Sequence, residues 1–203
     1  MMMSEFERWE TRFAAPGYLF GTEPNMFLKS KAHELKRGWK ALAVADGEGR
    51  NSVWLAEQGL DVQSFDFSPK AVTKARELAA RRGVNIRMEV ADIYTWMWPT
   101  AEFDVIAAIF FQFVGPDKRD DIFAQIKKAL KPNGLLLMEG YHRRQLQYGT
   151  GGPSNVANLW TRELLEDAFA DFSSIQITEE DRELAEGTQH VGMSALIDFI
   201  GRK

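Results

Sequence analysis

The sequence predicts an α/β fold: a mostly parallel β-sheet with helices on both faces and an antiparallel hairpin near the carboxyl end. Through the middle of the chain, short apolar runs alternate with segments of helical spacing. Strands joined through helices run parallel with right-handed crossovers, and such a sheet is covered on both faces. Residues 172–203 instead hold two extended runs with no helical segment between them, which indicates an antiparallel pair.

Each predicted element follows from its own pattern. Apolar runs predict parallel strands over 40–45, 61–66, 86–90, 103–111 and 134–141. The spacing between them predicts helices over 51–58, 69–82 and 117–130. Residues 1–36 look largely helical, and extended runs over 172–184 and 190–200 flank the turn Glu186-Gly187-Thr188.

Capping residues give two of these helices their ends. Ser68 and Pro69 are typical of an N-cap and first helical position, and Gly83 is typical of a helix end. Lys131-Pro132-Asn133-Gly134 predicts a break after the third helix and a turn into the next strand.

The composition is that of a globular protein. With 203 residues, 45% of them hydrophobic and 27% charged, the chain is expected to form a single domain over 1–203. A net charge of -4 and a pI near 5.5 provide no basic surface, so nucleic acid is not expected as a partner. The sequence has no cysteine, which excludes disulfides, cysteine-bound metals and a thiolate nucleophile. No metal site is predicted.

Two features of the sequence predict where in the cell the protein is located. Residues 1–17 carry several charges and no apolar segment typical of an export signal. The longest apolar run, 105–111, is far shorter than the roughly 20 residues that cross a bilayer. We therefore expect a cytoplasmic protein without a membrane partner, and a monomer is favoured.

The turn after the first predicted strand is a candidate ligand site. Open α/β sheets bind ligands beyond the carboxyl ends of their strands. Here that turn reads Ala45-Asp46-Gly47-Glu48-Gly49-Arg50-Asn51. Gly47 and Gly49 permit a tight bend and close approach of a ligand, and the next helix presents free N–H groups.

Two aspartates end the next two predicted strands. Asp66 lies 19 residues beyond Gly47 (66 - 47), where a carboxylate accepts hydrogen bonds from ribose hydroxyls. Its alternative role is to cap the helix that follows, but Ser68 is better placed for capping. Asp92 ends the third strand, where it either accepts from an adenine amino group or forms a turn.

The residues around this turn favour a nucleoside cofactor without phosphate. Gly47, Gly49 and Ser52 match the dinucleotide pattern G-x-G-x-x-G only loosely. Asp46 and Glu48 supply negative charge where a pyrophosphate needs neutralisation. S-adenosylmethionine carries a sulfonium cation, which suits an acidic and aromatic lining.

These motifs together resemble those of class I S-adenosylmethionine-dependent methyltransferases. The residues concerned are Leu42 to Asn51, Phe65-Asp66-Phe67-Ser68, Ala91-Asp92-Ile93 and Leu130 to Gly134. Trp9-Glu10-x-Arg12-Phe13, Tyr18-x-Phe20-Gly21-Thr22-Glu23-Pro24-Asn25 and Gln145 to Pro153 are similar to the small bacterial branch of tellurite-resistance and thiopurine methyltransferases.

The resemblance implies a Rossmann-like, seven-stranded sheet whose last strand is antiparallel. It implies that Gly47 and Gly49 contact the methionine and ribose of S-adenosylmethionine, Asp66 the ribose hydroxyls and Asp92 the adenine. The further cofactor residues it implies are Asp46, Phe67, Ile93 and Ile109. The family commonly has an acidic residue and a glycine where this chain has Ala43 and Ala45. Either Asp46 or Glu48 is placed to compensate, or the cofactor binds more weakly.

Methyl transfer from a sulfonium needs mainly alignment of the reacting groups for in-line displacement, so a general base is optional. The candidate catalytic residues are His142 and Tyr18. The candidate acceptor-binding residues, at or after the ends of strands four and five, are Phe110, Arg143, Arg144 and Tyr148. We expect a small acceptor that is soft or anionic.

Residues 1–36 and the loop 148–153 are expected to close over the site as a lid.

Other interpretations remain open. His142 serves equally well as a turn residue, and Arg143 and Arg144 as a solvated face. Nucleobase methylation is disfavoured, because residues 109–113 lack an Asn/Asp-Pro-Pro-aromatic run. A small nicotinamide-dependent oxidoreductase and a non-catalytic module that binds S-adenosylmethionine are the alternative functions.

Overall fold

A computed structural model of the protein describes residues 4–203. It contains a seven-stranded sheet in the order β3-β2-β1-β4-β5-β7-β6. The strands are β1 Lys40–Ala43, β2 Asp61–Asp66, β3 Arg87–Val90, β4 Phe103–Ile109, β5 Leu130–Tyr141, β6 Ser174–Glu186 and β7 His190–Arg202. The predicted α/β architecture is confirmed: the sheet is mostly parallel, with an antiparallel carboxyl-terminal part.

Six α-helices accompany the strands in the described part of the chain. They are α1 Glu5–Phe13, α2 Met26–Ser30, α3 Arg50–Glu57, α4 Pro69–Arg82, α5 Pro116–Ala129 and α6 Arg162–Ala168. Short 3-10 helices cover Ala32–Glu34, Arg143–Gln147 and Val156–Asn158. None of the helices within 4–203 is both long enough and apolar enough to cross a membrane.

The chain divides into two compact units. The first unit holds the described residues up to Trp96 together with Glu186–Gln189. The second unit holds Met97–Ala185 and His190–Lys203. The hairpin between β6 and β7 therefore contributes its tip to the first unit and its strands mainly to the second.

The first unit is built on three parallel strands. Lys40 of β1 pairs with Asp61 of β2, and Gln63 of β2 pairs with Arg87 of β3. The helix α4 begins and ends where the sequence predicts. Ser68 Oγ accepts a hydrogen bond of 3.1 Å from Ala71 N, Pro69 occupies the first turn, and Gly83 ends the helix in the left-handed region.

The second unit combines parallel and antiparallel pairing. β4 runs parallel to β5, and β5 runs antiparallel to β7 from Leu135↔Arg202 to Tyr141↔Leu196. Aromatic rings fill the core beside these strands: the Phe123 ring lies 6.2 Å from Trp160 and 5.0 Å from Phe169, whose ring lies 4.8 Å from Phe199. Edge-on and tilted contacts at these distances are favourable for aromatic pairs.

Several predicted boundaries were wrong for backbone reasons. β1 ends at Ala43 rather than at residue 45, because Ala45 adopts a left-handed φ of 47°. β4 ends at Ile109 rather than at residue 111, because Phe110 has a φ of 54°. β5 begins at Leu130 rather than at residue 134, since Leu130 already pairs with Phe103.

The expectation of a largely helical 1–36 was wrong over 14–25, which forms turns and extended backbone. Gly17 and Gly21 in this stretch have φ of 79° and 74°, which a right-handed helix excludes. Residues 1–3 of that predicted segment lie outside the described residues. The helix α6, which begins at the N-cap Thr161, was not predicted.

Two glycines with similar φ test how tightly the turn before α3 is packed. A Cβ at Gly49 (φ 88°) would lie 2.6 Å from Ala75 Cβ, whereas a Cβ at Gly83 (φ 68°) would meet nothing within 4 Å. The left-handed backbone costs either alanine about 1–2 kcal/mol. We expect Gly49→Ala to lower the free energy of unfolding by about 1–3 kcal/mol more than Gly83→Ala, because of the added overpacking. Urea denaturation measures both, and equal losses would contradict the packing argument.

Candidate functional site

The turn between β1 and α3 has the tight geometry that its glycines predict. Gly47 and Gly49 lie in the left-handed region with φ of 58° and 88°, and so does Ala45 with 47°. Asp46 N donates to Phe65 O of β2 at 3.1 Å, which fixes the turn against the neighbouring strand. The structure thus holds at Ala45 a conformation that favours glycine, at a cost of about 1–2 kcal/mol.

Asp46 and Glu48 have different roles in this turn. Asp46 Oδ2 accepts a hydrogen bond of 3.1 Å from Ser52 N, so it caps the start of α3. Glu48 accepts from Leu19 N at 2.7 Å and from Lys74 Nζ at 2.8 Å. Glu48 therefore holds the stretch 14–25 against the turn, whereas the Asp46 carboxylate bonds to the start of α3.

Asp66 lies beside the glycine turn, as its spacing predicts. Its carboxylate accepts from Gly47 N at 3.0 Å and from Ser68 N at 2.9 Å, and its residue is 6% exposed. Burial raises the pKa of Asp66 to about 6, although both hydrogen bonds act in the opposite direction. Burial likewise raises the pKa of Asp46 to about 6. Two carboxylates close to a turn of N–H groups form the most distinctive feature of the first unit.

The helix α1 packs against the predicted cofactor residues. Phe13 is 3% exposed, and its Cζ would lie 3.4 Å from a Cβ at Gly47. The Phe6 ring meets the Phe67 ring edge-on at 5.7 Å, and Glu10 accepts a short hydrogen bond from Ser68 Oγ. These contacts are consistent with a covering role for the amino-terminal segment, which stays a prediction.

Asp92 forms a turn at the end of β3. Its Oδ1 accepts from Tyr94 N at 2.9 Å, and its carbonyl oxygen accepts from Thr95 N and Trp96 N. Ile93 beside it is 4% exposed. The turn-forming role of Asp92 is therefore present in the structure, whereas its contact with adenine stays a prediction.

In the second unit, an aromatic cluster marks the carboxyl end of β4. Ile109 is 8% exposed, and the Phe110 ring lies 4.9 Å from Tyr141 and 4.4 Å from His190. The buried Gln112 side chain donates to Tyr141 O at 2.8 Å and accepts from Tyr141 N at 2.5 Å. The exit of β4 is thus fixed to the end of β5.

Both ring nitrogens of His142 lie close to polar groups of neighbouring residues. Its Nδ1 accepts a hydrogen bond of 3.1 Å from Arg144 N and caps the 3-10 helix Arg143–Gln147. Its Nε2 lies 3.7 Å from Glu179 Oε2. Burial lowers the pKa of His142, and the charge of Arg144 adds to that effect. The Nδ1 lone pair that a general base would use is already occupied.

The predicted tyrosines lie in separate environments. Tyr18, in the first unit, donates its hydroxyl to Lys74 O at 3.0 Å and accepts from Arg81 at 2.7 Å. Tyr148, in the second unit, donates to Asp181 Oδ2 at 2.7 Å. That hydrogen bond raises the pKa of Tyr148. Both hydroxyls are engaged with neighbouring elements of their own unit.

The two adjacent arginines differ in their ion pairing. Arg144 lies 3.0 Å from Asp181 and 3.4 Å from Glu179, so carboxylates neutralise it. Arg143 is exposed and forms no ion pair with the described residues. The sequence predicts the same acceptor-binding role for both arginines, whereas in the described structure only Arg144 of the two is paired with carboxylates.

Arg119, in the first turn of α5, is a cation that the sequence analysis missed. Its Nη1 donates to Ala157 O at 3.0 Å, and its buried Nε has no hydrogen-bond acceptor among residues 4–203. Burial lowers the pKa of Arg119, and the nearby charge of Arg143 lowers it further, while Asp120 opposes them. No sequence pattern distinguishes Arg119 from other helical arginines, since its burial depends on the distant residue Ala157.

Comparisons with known proteins find similarity to methyltransferases. Residues 41–134 match the sequence model of a family described as a methyltransferase domain. The chain is 31% identical over 139 residues to a glycine/sarcosine N-methyltransferase of Halorhodospira halochloris, covering 64% of this chain and 47% of that protein. It is 35% identical over 111 residues to a phosphoethanolamine N-methyltransferase of Triticum aestivum, covering 54% of this chain and 22% of that protein. The chain thus spans less than half the length of these curated relatives.

A solved structure shows the same architecture. TehB from Haemophilus influenzae superposes with a TM-score of 0.70 at 16% identity, covering 98% of this chain and 66% of that chain. At this level of identity the likeness concerns the fold. The chain has the Rossmann-like methyltransferase fold.

The raised pKa of Asp66 predicts a pH-dependent stability. Between about pH 4 and 6 the folded chain retains a proton on Asp66 that the unfolded chain has released, so this contribution to stability is lost as pH rises through that window. We expect the free energy of unfolding of the wild type, minus that of Asp66→Asn, to fall by about 2–3 kcal/mol from pH 4 to pH 8. Urea denaturation measures it, with the exposed Asp121→Asn as control. A difference that grows with pH would show that the pKa is lowered instead.

Proposed function

We propose that the chain is an S-adenosylmethionine-dependent methyltransferase that acts on a small molecule. The match of residues 41–134 to a methyltransferase domain and the methyltransferase relatives support this function. The observation that carries it is the Asp66 carboxylate, which lies at the end of β2 and 3.0 Å from Gly47 N. A carboxylate in this position accepts hydrogen bonds from ribose hydroxyls.

The charges of the turn fit this cofactor better than a dinucleotide. Asp46 and Asp66 lie close enough for the charge of Asp46 to raise the pKa of Asp66. A cation such as a sulfonium or an amino group stabilises two neighbouring carboxylates, whereas a pyrophosphate is repelled by them. The nicotinamide-dependent alternative is therefore disfavoured.

The proposed cofactor contacts follow the motifs. Gly47 and Gly49 approach the methionine and ribose, and Asp66 holds the ribose. Asp46 takes the role of the acidic residue that Ala43 does not supply, since Glu48 is bound to Lys74 and Leu19. The remaining proposed contacts are those of Phe67, Asp92, Ile93 and Ile109.

We propose that transfer proceeds mainly by alignment. When bound, S-adenosylmethionine supplies an activated methyl group, so the protein's task is to hold the acceptor in line with it. His142 and Tyr18 have their polar atoms engaged in other bonds, which favours a positioning role over proton abstraction. Phe110 with Tyr141 provides an apolar wall at the exit of β4.

The acceptor is proposed to carry an anionic group. Arg143 and the partly buried Arg119 both follow strands whose carboxyl ends are the ligand side of such sheets. Neither arginine has a carboxylate partner among residues 4–203. Relatives named for glycine and phosphoethanolamine act on molecules that carry a carboxylate or a phosphate, which supports this class.

Two further possibilities keep specific support. The motifs around Tyr18 and Tyr148 resemble the tellurite-resistance and thiopurine branch, which favours a soft anionic acceptor as the second candidate. The left-handed Ala45 and the missing acid at Ala43 support weak cofactor affinity, and thus a binding module without catalysis as the alternative. Turnover with thiol and oxyanion acceptors distinguishes them.

The first test is cofactor binding. Calorimetric titration with S-adenosylhomocysteine is expected to show binding that Asp66→Ala weakens by about 1.5–3 kcal/mol, the range for a hydrogen bond to a charged group. Asp61→Ala removes an exposed carboxylate at the other end of β2 and is expected to bind as the wild type does. Tighter binding of a nicotinamide dinucleotide, or an unchanged affinity in folded Asp66→Ala, would contradict the assignment.

The second test concerns the acceptor. With phosphoethanolamine as probe, Arg119→Ala and Arg143→Ala are each expected to raise KM roughly 10- to 100-fold, the loss of a charge-assisted bond. With ethanolamine, which lacks the phosphate, KM changes little. Arg162→Ala, whose side chain pairs with Glu166 and Glu179, is the control. Equal effects on both probes would show that these arginines do not read the anionic group.

A further inference from the structure

A buried carboxylate at the tip of the carboxyl-terminal hairpin belongs to the first unit. Glu186, the last residue of β6, is 6% exposed. Its Oε1 accepts from Met26 N at 2.9 Å and from the Asn25 side chain at 3.2 Å, and its Oε2 pairs with Arg50 Nη1 at 2.7 Å. A buried charge is tolerated when it is paired and hydrogen-bonded in this way.

The partners of Glu186 adjoin the proposed cofactor turn. Arg50 is 6% exposed and is the first residue of α3, directly after Gly49. Asn51, the next residue, accepts from Asn25 N at 3.0 Å through its side chain. Fixing Arg50 and Asn51 therefore fixes the point at which the glycine turn enters the helix.

Backbone packing places the same hairpin tip on the stretch 14–25. A Cβ at Gly187 (φ 64°) would lie 2.3 Å from Leu19 O and 2.4 Å from Gly21 N. Thr188 N donates to Leu19 O at 2.8 Å, and Arg12 donates to Gln189 at 2.7 Å. The tip thus contacts the amino-terminal segment through main chain and side chain together.

We infer that Glu186 is a positioning residue for the cofactor turn, holding Arg50 and Asn25 so that the Gly47–Gly49 backbone keeps its ligand-binding shape. This inference rests on the proposed function, because the ligand is the proposed cofactor. Glu186 acts through Arg50 and does not touch the ligand. The hairpin tip, residues 186–189, is thereby a part of the proposed cofactor site, although it carries none of the motifs from which that site is predicted.

The test is the affinity for S-adenosylhomocysteine, measured by calorimetry on the full chain well below its unfolding temperature. Glu186→Gln is expected to raise Kd about 3- to 30-fold, the range for a residue coupled to a site it does not contact. Glu183→Gln, on the same strand and exposed, is the matched control with unchanged Kd. Glu186→Asp keeps the charge and is expected to recover part of the lost affinity, which a purely structural role of the side chain's size would not produce.

Hydrogen exchange on the wild type gives a second measurement that needs no variant. Because coupling between sites is reciprocal, S-adenosylhomocysteine is expected to increase amide protection at both 46–51 and 186–189. Protection at 46–51 without any change at 186–189 would overturn the inference, as would a wild-type Kd in folded Glu186→Gln. A wild type that binds no S-adenosylhomocysteine would instead refute the proposed function itself.

Discussion

The buried carboxylate of Asp66 is the interaction on which the glycine turn of the first unit depends. It bonds Gly47 N on one side and Ser68 N on the other, so a single side chain joins the turn after β1 to the start of α4. Burying this charge is costly, and backbone N–H groups offset the cost without a cation. The protonation state of Asp66 and the shape of the turn are therefore linked, because the same two hydrogen bonds act on both.

At Ala45, unlike at Gly47 and Gly49, the backbone geometry of the turn is not the one that the residue type favours. Ala45 is left-handed although alanine disfavours that region, because the Asp46 amide is held by Phe65 O of the adjacent strand. The turn therefore holds Ala45 in a conformation that glycine adopts at lower cost.

Elements with local signals could be predicted from the sequence, and those fixed by distant contacts could not. The bounds of α4 follow from Ser68, Pro69 and Gly83. The stretch 14–25 escaped prediction because Lys74 and Glu48 hold its backbone from afar. The spacing of Asp66 sufficed to place it beside Gly47. The burial of Arg119 and Glu186 carries no sequence pattern, since it arises when separate segments meet.

The second unit shows how adjacent residues with the same chemistry come to have different ion-pair partners. Glu179 and Asp181 of the edge strand β6 form ion pairs with Arg144. Glu179 also lies 3.7 Å from His142, and Asp181 accepts a hydrogen bond from Tyr148. Arg143 and Arg119 form no ion pair with these acids, and Arg119 is partly desolvated, with its buried Nε lacking an acceptor among residues 4–203. A guanidinium in that state gains more from an incoming anion than a solvated one does. In the proposed function, selection of an anionic acceptor thus depends on where β6 places its acids as much as on where the arginines lie.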